Sequence, residues 1–107
     1  MSLRKENGIL KTHKGDTFTI PFKIKGLEPI ALYCLYFQIN FVEPLIKSQE
    51  ITTDNEGTCK VSFQVTCHES DVFPKKYTYG VKTCRSGCED TIYTGTIEIE
   101  DKIVEGE

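Results

Sequence analysis

The chain has 107 residues, 38% of them hydrophobic and 27% charged, with five Cys and no Trp. That length suits one domain, which buries roughly two thirds of the surface its unfolded chain exposes, so a core is attainable without metals or disulfides. A formal net charge of -3 supplies no basic stripe for nucleic acid, and no apolar run approaches the length of a membrane-spanning helix.

In chain order, residues 1–14 read as an N-terminal arm or first strand, and no apolar signal-peptide core precedes Arg4-Lys5-Glu6-Asn7-Gly8. From Phe18 to Ile24 the apolar residues fall at every second position, the period of a half-buried strand. Pro21 lies inside this run and cannot donate to a ladder, so the strand belongs at an edge or carries a bulge. Tyr33, Leu35, Phe37, Ile39 and Phe41 alternate next, with Cys34, Tyr36, Gln38 and Asn40 on the opposite face. Leu45 to Thr52 is a weaker strand, and Asp54-Asn55-Glu56-Gly57 has the Asx and Gly chemistry of a hairpin turn. Cys59, Val61, Phe63 and Val65 share the face of another strand. His68 to Pro74 suits a single helical turn. Tyr77, Tyr79, Val81 and Thr83 alternate again, Cys84 to Cys88 reads as a loop, and a last strand runs through Tyr93, Gly95, Ile97 and Ile99.

About seven short strands, with turn signals roughly every 8 to 12 residues, predict an all-β fold: an antiparallel β-sandwich of immunoglobulin-like type. The sandwich is expected to occupy residues 15–101 as one domain, with residues 102–107 an acidic C-terminal tail.

Charge is divided along the chain. Residues 1–26 hold six Lys and Arg against two acids, and residues 89–107 hold seven acids and one Lys. Such a division suits head-to-tail stacking, the acidic strand with Glu98 and Glu100 meeting the basic N-terminal face of the next copy; it also serves solubility alone.

The cysteines are odd in number, which argues against a full disulfide framework and for free thiols. Cys84 and Cys88 flank an expected three-residue turn, close enough to cross-link if the geometry allows. With Cys67 and His68 they would make a zinc cluster, Cys67, His68, Cys84 and Cys88, since thiolate and imidazole are ligands zinc prefers. The spacing is C-x3-C, whereas zinc knuckles usually use C-x2-C. Adjacent Cys67 and His68 point to opposite faces of an extended chain, so they make no catalytic dyad. His13 has no nucleophile motif around it, and the Asp54 segment lacks the ligand ladder of a calcium loop. Tyr33, Tyr36, Tyr77, Tyr79 and Tyr93 are candidates for a sugar-binding face, although their alternation also suits packing with hydroxyls at the rim. No catalytic residue and no cofactor is expected.

Two segments carry a resemblance. Gly15-Asp16-Thr17-Phe18-Thr19-Ile20-Pro21-Phe22-Lys23-Ile24 is followed by Tyr36-Phe37-Gln38-Ile39; Tyr77-Thr78-Tyr79-Gly80-Val81 is followed by Thr94-Gly95-Thr96-Ile97-Glu98-Ile99. Together they resemble the immunoglobulin-like domains of bacteriophage tail and baseplate proteins, in particular the N-terminal domain of baseplate upper proteins. The likeness covers most of residues 15–100, and Lys75-Lys76 departs from it where a turn Gly is usual. It implies a non-enzymatic assembly protein of a phage or prophage virion: tail, baseplate or head decoration. The implied partners are other virion components or copies of the chain, with no nucleic acid and no membrane, in the virion or in the bacterial cytoplasm before assembly. The alternative expectation is a small zinc-stabilised or ligand-binding module, with carbohydrate as one ligand class.

Overall fold

A computed structural model describes residues 3–101, all of them strand, turn or connection; the expected tail at 102–107 lies outside the described residues. The eight strands are β1 (Arg4–Glu6), β2 (Ile9–His13), β3 (Phe18–Ile24), β4 (Leu32–Ile39), β5 (Leu45–Thr52), β6 (Cys59–Val65), β7 (Lys76–Arg85) and β8 (Cys88–Glu100). One sheet has six strands in the order β1-β2-β8-β7-β4-β5, and β3 pairs with β6 in a second. The order β8-β7-β4-β5 facing β3-β6 is the G-F-C-C′ and B-E arrangement of an immunoglobulin-like sandwich.

Alternation builds the core. Phe18 and Ile20 of β3 and Val61, Phe63 and Val65 of β6 face Leu35, Phe37 and Ile39 of β4, Tyr79 and Val81 of β7, and Ile97 and Ile99 of β8. Phe37 stacks on Phe63 across the interface, with ring centroids 5.2 Å apart. Burying each such side chain contributes about 1.5–3 kcal/mol before chain entropy is charged against it. Pro21 sits opposite Ser62 in β3, which among the described residues pairs only with β6, so the proline lies on an edge strand, where a missing N–H is tolerated.

Three local features depart from expectation. Residues 4–13 form a β-hairpin: Asn7 and Gly8, with φ of 53° and 78°, supply the paired left-handed residues of a type I′ turn. Its second strand joins the sheet parallel to β8, Leu10 beside Ile97 and Thr12 beside Ile99; every other pairing is antiparallel. The Asp54–Gly57 turn forms, with Gly57 N–H donating to the Asp54 carbonyl at 3.2 Å, but it joins no hairpin. It carries the chain from β5 in one sheet to β6 in the other. Residues 66–75 contain no helix; one turn is closed by Ser70 N–H donating to the Thr66 carbonyl at 3.0 Å.

Buried polar groups are satisfied. Ser70 is fully buried and its hydroxyl donates to the Asp16 carbonyl at 2.7 Å. Thr53 Oγ1 accepts from Ala31 N–H at 2.9 Å and donates to the Glu28 carbonyl at 2.5 Å, closing one end of the sandwich. Among the described residues no helix is long and apolar enough to cross a membrane.

Candidate interaction surface

The expected zinc cluster is not assembled. Cys67 and His68 lie in the connection before β7, while Cys84 and Cys88 lie at the far end of β7 and the start of β8. β7 has ten residues, which separates the two pairs by about 30 Å. Among the described residues no three His, Cys, Asp or Glu side chains are placed to hold a metal ion.

Cys84 and Cys88 are also parted from each other. The β7–β8 turn has two residues, Ser86 and Gly87 with φ of 53° and 80°, so Arg85 pairs with Cys88 and Cys84 pairs with Glu89. A three-residue turn would have set the two thiols opposite. One residue of register sends them to opposite faces instead. The cross-strand neighbour of Cys84 on its other side is Cys34 of β4, on the outer face of the six-stranded sheet.

The tyrosines form no common platform. Tyr33, Tyr77 and Tyr79 are buried, with the Tyr33 hydroxyl accepting from Glu28 N–H at 2.9 Å and the Tyr77 hydroxyl donating to the Phe73 carbonyl at 2.5 Å. Burial raises the pKa of both Tyr77 and Tyr79, and the Tyr93 hydroxyl adds to the rise at Tyr79. Tyr93 packs at the sandwich margin against Phe22, centroids 5.7 Å apart. Tyr36 alone projects from the outer face, where a hydrogen bond to Cys34 leads the causes that raise its pKa. Beside it an open cleft of about 540 Å³ is floored by Gly80 and walled by Tyr36, Gln38, Asn40 and Thr94. Gln38 Nε2 donates to Asn40 Oδ1 at 2.8 Å, and Asn40 Nδ2 donates to Thr78 Oγ1 at 2.6 Å.

Part of the divided charge is paired inside the chain. Parallel pairing of β2 with β8, and antiparallel pairing of β1 with β2, lays the basic arm along the acidic strand: Arg4 pairs with Glu100 and with Glu6, and Lys11 lies 3.8 Å from Glu98. His13 Nε2 lies 3.6 Å from Glu100. Glu98 and Glu100 therefore already have cationic neighbours, and the expected head-to-tail charge contact loses its motive.

The sheet margins differ in protection. β1 is three charged residues long, and β3 carries Pro21 with Lys23 and Lys25 following. Both devices discourage edge pairing. β5 is eight residues long and has no Pro, and its one Lys, Lys47, is turned toward Glu69 at 2.8 Å. Burial would raise the pKa of Glu69, but the hydrogen bonds from Lys47 and Thr66 outweigh it and hold the carboxyl below its usual range. Exposed apolar side chains stand near both ends of β5: Ile46 on the strand itself, 58% exposed, and Leu32 beside Thr52, also 58% exposed. Ile30, next along, is 72% exposed and held at φ 48°, a left-handed conformation that β-branched residues avoid. The sequence reading missed this edge because β5 alternates weakly, and only the strand order reveals which strand ends a sheet.

Comparisons with protein-family models, with curated proteins and with solved structures returned no match.

Proposed function

We propose that the chain is a non-enzymatic assembly module of a phage or prophage virion, and that it joins a second copy of itself along β5. The observation that carries the reading is the open β5 edge, a long strand with unpaired backbone and exposed Ile46 in a fold whose other six-stranded margin is short and charged. Among the described residues no strand pairs with that edge. Two such edges running antiparallel about a two-fold axis would satisfy one another's backbone groups reciprocally, the self-complementary geometry of an isologous contact. The virion setting rests on the likeness of residues 15–100 to tail and baseplate sandwiches.

The test is substitution at the edge. Ile46→Lys adds a charge at a solvent-exposed position, so it should leave the fold intact and abolish association. Unchanged association would reject β5 as the contact.

A further inference from the structure

The outer face of the six-stranded sheet holds a cross-strand pair of thiols. Cys34 and Cys84 are opposite one another in the β4–β7 ladder, both free and both half-buried. The ladder phase follows from Asn40, whose N–H donates to the Thr78 carbonyl at 2.9 Å. The register is unbroken between that pair and Cys34–Cys84, six residues along β4, so the cysteines also occupy a hydrogen-bonded pair position. There the Cα atoms stand about 5.5 Å apart, inside the span a disulfide bridges. The remaining cysteines have no such neighbour: Cys59 is buried on the core face of β6, Cys67 lies at the far end of the fold, and Cys88 faces away from Cys84.

We infer that Cys34 and Cys84 form a reversible redox pair, a modification site for low-molecular-weight disulfides that closes into a cross-strand staple between β4 and β7. One thiolate attacks a sulfur of the small disulfide, forming a mixed disulfide and releasing one small thiol. The second cysteine, as its thiolate, then attacks the protein sulfur of that mixed disulfide and releases the other. The protein loses two electrons and two protons, and the small disulfide is reduced to two thiols.

Charge around the pair selects the reagent. The cross-strand row reads Glu89, Cys84, Cys34, Glu50, so carboxylates stand on both sides of the thiols, and Lys82 lies 4.0 Å from Glu89 in the next row. Acidic flanks favour a cationic disulfide over an anionic one. The probe is therefore cystamine, in buffers of graded cystamine to cysteamine ratio, followed by alkylation and intact and peptide mass analysis.

The expected result is a species lighter by two hydrogen atoms, with three cysteines alkylated and a peptide linking Cys34 to Cys84, reverting as cysteamine is raised. The link should persist in Cys88→Ser and vanish in Cys34→Ser and Cys84→Ser, with circular dichroism confirming that each variant folds. The oxidised protein should melt several degrees higher, because the bond closes a loop of roughly 50 residues in the unfolded chain. Separate cysteamine adducts on Cys34 and Cys84 at every ratio, both thiols remaining alkylatable throughout, or a Cys84–Cys88 link would each overturn the inference.

Discussion

Gly95 lies against the ring of Tyr79: a Cβ built on Gly95 would stand 2.7 Å from both Cζ and Oη of that tyrosine. The two residues are opposite one another in the β7–β8 ladder, on the core face. The glycine removes a side chain so that the tyrosine ring can lie across the neighbouring strand. Gly95→Ala should therefore destabilise the fold by about 1–3 kcal/mol, the usual cost of overpacking. Thermal unfolding checks it, and a Tyr79→Leu background should recover part of the loss by removing the ring's far end.

Gly57 and Gly87 share a left-handed backbone, with φ of 75° and 80°, but not their surroundings. A Cβ at Gly57 would collide with the Leu27 carbonyl oxygen, whereas nothing lies near a Cβ at Gly87. Gly87→Ala should cost about 1–2 kcal/mol, the left-handed penalty alone. Gly57→Ala should cost clearly more, because Leu27 N–H donates to the Gly57 carbonyl at 3.1 Å and the two backbones cannot part without breaking that bond. Denaturant titration of the two variants side by side orders them.

Ile30 predicts a gain. It is exposed, so it contributes little burial, and its φ of 48° suits Asn far better than a β-branched residue. Ile30→Asn should raise stability by roughly 1 kcal/mol. A lower melting temperature for the variant would mean that the side chain makes a contact outweighing its strain.

Much of this architecture was legible from alternation. The core faces of β4, β6 and β7 follow from Leu35-Phe37-Ile39, Val61-Phe63-Val65 and Tyr77-Tyr79-Val81, and Pro21 marked its strand as an edge. Register was not legible. A two-residue turn at Ser86-Gly87 and a bulge at Ile92, between the pairs Val81–Tyr93 and Lys82–Thr91, reset which face each residue of early β8 takes. Periodicity read backward from Ile97 therefore misplaces Cys88. The hairpin at residues 4–13 escaped for a related reason. Arg4-Lys5-Glu6 has no apolar alternation, and the segment is strand because Asn7-Gly8 turns it and Leu10 finds Ile97 beside it.

Asp54 should make stability acid-sensitive. Backbone N–H groups of Thr58 and Glu56 donate to its Oδ1 at 2.9 and 2.8 Å, and these bonds hold its carboxyl below the usual carboxylate range. A depressed folded pKa contributes stability that is fully present above the unfolded value and is lost as pH falls through the folded one. Asp54→Asn should accordingly melt below the native protein at pH 7, with the gap closing as acid protonates Asp54. A gap constant with pH would show that the charge contributes nothing to the turn.

Sedimentation velocity across a concentration series, run on the protein and on Ile46→Lys in reducing buffer, tests assembly along β5 most directly. The account predicts a dimer that strengthens with concentration and an Ile46→Lys variant that remains monomeric with an unchanged circular dichroism spectrum. A native chain that stays monomeric at every concentration, or a variant that associates as the native chain does, would contradict it.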